Sequence, residues 1–324
     1  MKTLLKIVGG LVVLLVVVAA CGYGYLMFAF PKVPPPTAFK IEATPERLER
    51  GKYLNDHVVG CTTCHTKRDW TKFSGPVIAD QLGAGGEGFN LGPAGQAYSM
   101  NITPAAIGDW TDGELLRAVT QGVSKDGSPL FPLMPYPHFG AMDEEDVHAV
   151  LTYIRTLKAI ENTPPPSKFN FPLNLIVRTI PAPNTFGKRP SPDDTVAYGK
   201  YLTSAALCSD CHTPIDDRGT PLPNMDFAGG QEFVETGYRV RAANITPDAN
   251  TGIGSWTEQQ FVDKFKGFEN PTNATLAEHE RANNTVMPIT VYAGMTREDL
   301  SAIYAYLRTL KPVTNRIEKF PDAK

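Results

Sequence analysis

The chain begins with one long apolar segment and then changes to hydrophobic positions at helical spacing. From Ile7 to Phe30 it carries no charged side chain, and Lys6 and Lys32 border this segment. A helix of this length rises about 1.5 Å per residue and extends roughly 36 Å, enough to cross the hydrocarbon core of a bilayer. The lysines before the segment predict a cytoplasmic N-terminus. We therefore predict that residues 1–32 anchor the chain in the cytoplasmic membrane, with the remainder on the periplasmic side.

Cys21 leaves a second kind of anchor open. The residues from Val18 to Cys21 resemble a lipoprotein processing site, at which the cysteine would be lipidated after cleavage. The apolar run continues to Phe30, which makes it longer than the usual core of about 7–15 residues in a signal peptide and favours an uncleaved helix. Both anchors leave the rest of the chain on the same membrane face. A cleaved, soluble form is the remaining alternative.

Beyond this segment, helix-start signals precede hydrophobic residues at helical spacing. Thr44 and Ser191 are each followed by a proline and an acidic residue, which is typical of a first helical turn. Capping boxes are predicted at Thr111 with Glu114 and at Thr257 with Gln260. Two late helices are each predicted to bury one face, composed of Val147, Val150, Leu151, Ile154 and Leu157 in the first and of Leu300, Ile303, Tyr304, Leu307 and Leu310 in the second. Strand alternation is confined to short stretches such as residues 238–241, so the fold is predicted to be mainly α.

The helical part is a duplicated module. Blocks that begin at Gly51, Asn101 and Met134 recur in the same order as blocks that begin at Gly199, Asn244 and Met287. A repeat of this length indicates two homologous domains in tandem. We predict domain 1 at residues 44–158, a Pro-rich linker at 159–190, domain 2 at 191–312 and a C-terminal tail at 313–324.

Composition and charge narrow the class of protein. The 324 residues have a formal net charge of −3, with 42% hydrophobic and 20% charged side chains. These proportions are ordinary for a folded protein and argue against bulk disorder. The near-neutral charge and the absence of a long Lys/Arg run argue against a nucleic-acid partner.

The strongest chemical signal is one Cys-x-x-Cys-His motif in each repeat. The motifs comprise Cys61, Cys64 and His65 in the first repeat and Cys208, Cys211 and His212 in the second. The spacing is typical of covalent c-type haem attachment, in which both thiols add across haem vinyl groups and the histidine binds the iron. A shared zinc site would need its two cysteine pairs about 15–20 residues apart, and the pairs of this chain are much farther apart. A thioredoxin-like redox pair would need a strand before it, whereas each of these motifs continues a helix. A disulfide would leave both histidines unexplained. We predict two haem c groups, each with its iron.

A methionine is the expected sixth ligand of such an iron, since its thioether raises the reduction potential. Two methionine pairs recur in both repeats, Met134 with Met287 and Met142 with Met295. The second pair directly precedes the last helix of each repeat, where an apolar packing residue is expected. The first pair lies in irregular, proline-flanked chain. We therefore predict Met134 and Met287 as axial ligands beside His65 and His212.

Four further residues are candidates for the haem pockets. The repeated Trp110 and Trp256 carry indole N–H groups that could donate to haem propionates, although packing alone would also account for them. Asn101 and Asn244 could lie near a haem edge, although turn chemistry alone would also explain them.

Together these motifs resemble those of a membrane-anchored dihaem member of the cytochrome c family. Each repeat is similar to the class I cytochrome c fold, with an N-terminal helix that leads into Cys-x-x-Cys-His, a Met-Pro loop and a crossing C-terminal helix. The blocks Asn244-Ile245-Thr246-Pro247, Gly254-Ser255-Trp256 and Met287-Pro288 are also similar to those of the cytochrome c subunits of membrane-bound alcohol, gluconate and fructose dehydrogenases. Those subunits generally carry three haems, whereas this chain has two motifs.

The resemblance implies electron transfer without bond chemistry on a substrate. The implied role is a relay between a periplasmic donor, such as a dehydrogenase subunit, and an oxidase or another cytochrome of a respiratory chain. An electron carrier is therefore favoured over an enzyme. The alternatives are a dihaem enzyme such as a cytochrome c peroxidase, which needs an open iron position, and a haem-based sensor or structural subunit.

Overall fold

The computed structural model describes residues 1–216, 219–235, 238–270 and 274–321. Its α-helices are α1 (Lys2–Ala29), α2 (Pro45–Leu54), α3 (Cys61–Cys64), α4 (Pro104–Ile107), α5 (Asp112–Gln121), α6 (Tyr136–Phe139), α7 (Glu144–Ile154), α8 (Leu173–Ile176), α9 (Thr195–Ala205), α10 (Cys208–His212), α11 (Glu258–Lys266), α12 (Glu278–Arg281), α13 (Ile289–Tyr292) and α14 (Arg297–Leu307). Its strands are β1 (Gly88–Asn90), β2 (Gly95–Tyr98), β3 (Lys168–Phe169), β4 (Glu232–Glu235) and β5 (Tyr238–Arg241). Helices outweigh strands, which confirms the mainly α prediction.

Helix α1 stands apart from the folded body, with no buried residue. Among the described helices it is the one long and apolar enough to cross a membrane, and this length and composition suit a membrane anchor or a signal sequence. Its last turn meets the rest of the chain through Arg178, whose guanidinium donates to the carbonyl oxygens of Leu26, Met27 and Phe30 at 2.9–3.3 Å. These carbonyls have no partner within the helix, and a cation there also favours the helix dipole.

The same pair of crossed helices forms the centre of each repeat. In repeat 1, α2 packs against α7, and in repeat 2, α9 packs against α14. A glycine lies at each crossing, because a Cβ on Gly51 would overlap the carbonyl oxygen of Ala149 and a Cβ on Gly199 would overlap that of Ala302. The repeated glycines thus allow two helix backbones to approach closely.

The helix boundaries follow the capping residues. Both predicted capping boxes are formed, with Thr111 accepting from the Glu114 N–H and Thr257 accepting from the Gln260 N–H, each at 3.2 Å. The predicted apolar residues of both late helices are buried or packed against the core, but Leu157 and Leu310 lie just beyond the helices, since α7 ends at Ile154 and α14 at Leu307. The capping boxes form as predicted because each satisfies backbone N–H groups that the first turn of a helix leaves unpaired.

The start of α9 differs from the sequence prediction. Ser191 does not cap this helix; its carbonyl instead accepts from the Asp194 N–H at 3.0 Å and so closes a turn. Asp194 is the N-cap, and its side chain accepts from the Ala197 N–H at 3.2 Å. Because Asp and Ser cap helices about equally well, the neighbouring acidic residue competed with the serine and shifted the start.

Two small sheets occur where the sequence indicated almost none. Strand β2 pairs antiparallel with both β1 and β3, and β4 pairs antiparallel with β5. Strand β3 lies within the Pro-rich segment 159–190, which therefore runs along repeat 1 as ordered chain. Strands of two to four residues are too short to show an alternating pattern.

The two repeats pack together through reciprocal contacts. The hydroxyl of Tyr53 in repeat 1 donates to Asp299 in repeat 2, and the hydroxyl of Tyr201 in repeat 2 donates to Asp146 in repeat 1, at 2.5 and 2.6 Å. Tyr53 and Tyr201 occupy the same place in their repeats, as do Asp146 and Asp299. The interface thus relates the repeats by an approximate twofold arrangement.

Candidate functional site

Each Cys-x-x-Cys-His motif lies on a short helical turn that follows a residue in the left-handed conformation. Gly60, with φ 64°, precedes the turn of repeat 1, and Leu207, with φ 58°, precedes that of repeat 2. This residue ends the long helix and redirects the chain, which brings the cysteines and histidine onto one turn. A leucine rarely adopts this conformation, so repeat 2 holds the same bend at a conformational cost of about 1 kcal/mol.

The two histidines have identical hydrogen bonds. His65 Nδ1 lies 2.7 Å from the carbonyl oxygen of Met100, and His212 Nδ1 lies 2.7 Å from that of Ala243. A carbonyl partner requires an N–H at Nδ1, which leaves Nε2 as the free lone pair for a metal. Burial lowers the pKa of both imidazoles, and the hydrogen bond to the carbonyl opposes this shift. Both rings are therefore suited to bind a metal in the neutral form.

The four motif cysteines are unpaired thiols. Burial raises the pKa of Cys61 and Cys208 to about 12 and that of Cys211 to about 11, and it also raises the pKa of Cys64. The described residues contain no disulfide among these thiols and no cluster of three His, Cys, Asp or Glu ligands. Two free thiols on one turn beside a metal-binding imidazole fit covalent haem attachment better than a zinc cluster.

The methionines of the first predicted pair occupy equivalent loops. Met134 and Met287 are each half-buried, Met134 against the core, and each is followed by a proline that begins a short helix, α6 or α13. The other pair lies deeper, since Met142 and Met295 are 3% and 1% exposed. Met142 lines a small apolar cavity together with Cys61.

Asn101 and Asn244 hold backbone segments beside the histidine-bonding carbonyls. The Asn101 amide donates to the carbonyl oxygen of Ile160 at 2.8 Å, and its oxygen accepts from the Thr103 N–H at 2.9 Å. Asn244 makes the corresponding bonds to the carbonyl oxygen of Val313 at 2.7 Å and to the Thr246 N–H at 2.9 Å. These amides therefore anchor each turn to the chain that follows the last helix of its repeat.

The two tryptophans pack at equivalent positions of the two repeats. Trp110 and Trp256 are half-buried against the core. Their carbonyl oxygens accept from Arg155 and from the Tyr304 hydroxyl, each at 2.6 Å. Within the described residues their indole N–H groups donate no hydrogen bond, so these donors are free for another acceptor.

The attachment turns (α3 and α10 with their Cys-x-x-Cys-His motifs) lie close together. The charge of Cys64 is near enough to contribute to the raised pKa of Cys211, although burial is the largest cause. Helix α6 of repeat 1 packs on α9, which precedes the second motif, and α13 of repeat 2 packs on residues 55–59, which precede the first. His138 Nε2 also lies 3.0 Å from Asp210 Oδ1, which joins the methionine loop of repeat 1 to the attachment turn of repeat 2.

Two residues outside the predicted set lie at this junction. Burial raises the pKa of Tyr292 well above its ordinary value, with further contributions from Cys208, Cys211 and Cys64. Arg68 follows His65 by three residues, and its pKa is lowered by burial and partly restored by the Cys64 and Glu87 charges. Neither residue recurs in the other repeat, so comparison of the two repeats could not have identified them. The position of Arg68 three residues after the motif histidine was the one feature of the sequence that pointed to it.

Known proteins of one family match this chain. Residues 196–311 match the family model for cytochrome c. The chain is 32% identical to the alcohol dehydrogenase (quinone) cytochrome c subunit of Gluconacetobacter polyoxogenes, over 82% of this chain and 56% of that subunit. It is 30% identical to the fructose dehydrogenase cytochrome subunit of Gluconobacter japonicus, over 81% of this chain and 52% of the relative. It is also 26% identical to a "diheme cytochrome c-type" protein of Cereibacter sphaeroides, over 78% and 83%.

The chain spans about half the length of the dehydrogenase subunits that it matches. The family match covers repeat 2, and the relatives extend the similarity across most of both repeats. A cytochrome c domain implies haem c with its iron, and the unpaired thiols and carbonyl-oriented imidazoles fit that group. These features and the matches support electron transfer, and the chain contains a cytochrome c domain over residues 196–311.

Proposed function

We propose that the chain carries two haem c groups and passes electrons between them as part of a respiratory relay. The first group would be held by Cys61, Cys64, His65 and Met134, and the second by Cys208, Cys211, His212 and Met287. The observation that carries this proposal is the identical 2.7 Å hydrogen bond from each motif histidine to a carbonyl oxygen. Repeat 2 matches the cytochrome c family model, and repeat 1 has the same motif with the same histidine–carbonyl hydrogen bond. This second copy supports two haems.

The thiols attach the group by addition. Each cysteine S–H would add across one vinyl C=C bond of haem, with the sulfur on one carbon and the hydrogen on the other, so that no net oxidation is needed. The high pKa of Cys61 means that this thiol stays protonated near neutral pH.

The chain's residues keep the iron environment unchanged while one electron enters or leaves. A bound haem c supplies an iron that alternates between the ferric and ferrous states. The carbonyls of Met100 and Ala243 fix the imidazole rings in plane and tautomer. Met134 and Met287, in the Met-Pro loops, would each supply a thioether to the iron, which favours the ferrous state and a higher reduction potential.

The proximity of the attachment turns supports electron exchange within the chain. Helix α6 of repeat 1 packs on α9, and α13 of repeat 2 packs on residues 55–59, which brings the two motif turns near each other. An electron accepted at one repeat would thus reach the other without a second docking event. Similarity to dehydrogenase cytochrome subunits supports a dehydrogenase as the donor, with an oxidase or another cytochrome as the acceptor.

We also propose the arrangement of the chain on the membrane. Residues 1–32 would anchor it, 44–158 and 191–312 would form the two haem domains on the periplasmic face, and 159–190 would connect them. The length of α1 and the contact of Arg178 with its last turn support an uncleaved anchor. A lipoprotein linked at Cys21 is the alternative, and mass spectrometry of the mature N-terminus distinguishes the two.

A spectroscopic redox titration of protein matured with haem-attachment machinery tests the proposed function. We expect two low-spin haems that resist extraction, both with the methionine-sulfur-to-iron charge-transfer band and with positive potentials. Met134→Ala and Met287→Ala should each remove the band of one haem. A single bound haem, or a band that survives both substitutions, would contradict the proposal. A haem that becomes high-spin after half-reduction would favour the peroxidase alternative.

A further inference from the structure

A loop of repeat 1 packs against the segment of repeat 2 that carries Met287 and forms hydrogen bonds with it. The loop comprises residues 70–76, and it lies against residues 274–287 and Phe268. The Leu276 N–H donates to the carbonyl oxygen of Thr71 at 2.8 Å. The rings of Phe73 and Phe268 stack with centroids 5.4 Å apart. The contact is therefore made by both backbone and aromatic groups.

Asn284 forms the centre of this contact. It is fully buried, and its oxygen accepts from the Ser74 N–H and the Thr285 N–H, both at 2.8 Å. Its amide donates to the carbonyl oxygens of Lys72 at 3.2 Å and Trp70 at 3.4 Å. Three of these four bonds cross from one repeat to the other. Such a buried amide is costly to leave without its partners.

Ser74 connects this contact to Met287 itself. Its hydroxyl donates to the carbonyl oxygen of Met287 at 2.7 Å, and the residue is 1% exposed. Its φ of 58° is unusual for a residue with a side chain and is held by the bond from its N–H to Asn284. On the other side, Thr285 accepts from the Met287 N–H at 3.1 Å. The Met287 carbonyl oxygen also accepts from the Ile289 N–H of α13 at 2.7 Å, so Ser74 adds a bond from repeat 1 to the bonds made within repeat 2.

The Met134 peptide of repeat 1 has no such support, since the contact of its loop with repeat 2 is made four residues later, by His138 with Asp210. Met134 N–H donates to the carbonyl oxygen of Phe131 at 3.0 Å, within the same loop. Phe131 occupies the position of Asn284, three residues before the methionine, and its ring stacks on Phe169 of the Pro-rich segment 159–190. In the described part of the chain, no hydrogen bond from repeat 2 reaches the Met134 peptide. The two predicted ligand loops are therefore held differently.

We propose that Ser74 and Asn284 are positioning residues through which repeat 1 keeps Met287 on the iron of repeat 2. The inference rests on the proposed function, in which Met287 is an axial ligand. Release of the methionine requires its loop to move outward, and that movement breaks the bonds to repeat 1. An external ligand should therefore displace Met287 less easily than a loop without this support would allow.

Imidazole binding to the full-length ferric dihaem protein tests the proposal. In Ser74→Ala we expect one haem to bind imidazole about tenfold more tightly, as loss of one buried hydrogen bond implies. Asn284→Ala should have a larger effect and weaken the charge-transfer band of the same haem. The Met287→Ala spectrum identifies which haem this is, and the other haem serves as an internal reference.

Tyr53→Phe is the matched control, because it removes a hydrogen bond between the repeats without touching the methionine loop. It should leave both imidazole affinities within about twofold of the parent protein. Unchanged affinity in Ser74→Ala overturns the proposal, as does an equal change at both haems or the same change in Tyr53→Phe. If Met287→Ala alters neither haem, the assigned ligand is wrong and the proposed function fails separately. If Asn284→Ala does not fold, Ser74→Ala, which keeps the bond from the residue 74 N–H to Asn284, decides the outcome.

Discussion

Single residues determine how each haem-binding turn begins. Gly60 adopts a left-handed φ of 64°, and a Cβ there would meet only Thr63 at an ordinary distance of 3.6 Å. The glycine is thus needed for its backbone conformation and not for space. Leu207 tolerates the same conformation in repeat 2, which shows that the surrounding helices can impose the bend on another residue.

Gly60→Ala should destabilise the protein by about 1 kcal/mol, because alanine is strained in the left-handed region. Gly60→Asn should cost less, since asparagine adopts this region more readily. Thermal unfolding of the three proteins, followed by circular dichroism, measures the difference. Equal melting temperatures for the alanine variant and the parent would show that the turn does not require this conformation.

At the scale of elements, each repeat depends on one close helix crossing. The α9–α14 crossing places the Gly199 backbone against the carbonyl oxygen of Ala302, with no room for a side chain. Helix ends are set separately, by capping residues that act within one turn. The crossing therefore depends on contacts between distant segments, whereas the boundaries depend on local chemistry.

Gly199→Ala should force α9 and α14 apart and cost about 3 kcal/mol, at the upper end for an overpacked site. Lys200→Ala, at an exposed position of the same helix, should change stability by less than about 0.5 kcal/mol. Urea unfolding of both variants gives the comparison. A Gly199→Ala protein as stable as Lys200→Ala would contradict the close crossing.

The buried carboxylate of Asp146 on α7 also helps to pair helices, since it contacts Arg50 of α2 and Tyr201 of α9. Asp146 is 1% exposed at its side chain and lies 2.9 Å from Arg50 and 2.5 Å from Arg189. Burial alone would raise its pKa, but hydrogen bonds from Arg50 and Tyr201 and the charge of Arg189 together lower the pKa below its ordinary value of 3.8. Its stabilising contribution is therefore complete above pH 3.8 and is lost as the pH falls further.

Asp146→Asn should destabilise the protein by roughly 3 kcal/mol at pH 7, since it leaves the buried arginine contacts uncompensated. The difference from the parent should shrink as the pH falls below the ordinary carboxyl pKa. Glu145→Gln is the control, because this partner of Arg47 is 54% exposed and its loss should cost less than about 1 kcal/mol. Urea unfolding at pH 7 and pH 3 measures both effects, and a pH-independent difference would contradict the assignment.

In the whole molecule, the reciprocal interface between the repeats determines how the two candidate sites are placed relative to each other. The Tyr53–Asp299 and Tyr201–Asp146 bonds, together with the packing of each methionine loop on the other repeat, hold the two candidate sites in one fixed relation. The attachment turns then share one region of the interior. The charge on one iron should consequently influence the other.

Removal of the second haem, through Cys208→Ser combined with Cys211→Ser, should shift the potential of the first haem. An interaction of about 1 kcal/mol between the two charges corresponds to roughly 40 mV for one electron. The test compares the titration curve of the parent with the sum of curves from this variant and from Cys61→Ser combined with Cys64→Ser. Superimposed curves would show that the haems titrate independently.

The sequence alone determined what depends on neighbours along the chain or on exact repetition. The apolar segment, the capping boxes, the buried faces of α7 and α14 and the mainly α class all follow from local patterns. The Cys-x-x-Cys-His motifs also indicated the cofactor, because the required chemistry fits within five consecutive residues. The start of α9 was missed, since Ser191 and Asp194 compete as caps and their choice depends on how the incoming chain lies.

Only the tertiary structure decided which residues meet across the repeats. The Tyr–Asp bonds join positions more than fifty residues apart in the chain, and Asn284 reaches Ser74 across 210 residues. Neither Asn284 nor Ser74 recurs in the other repeat, so no pattern distinguished them from ordinary loop residues. Hydrogen bonds and packing depend on positions in space, and for these residues the positions follow from the fit between two complete domains.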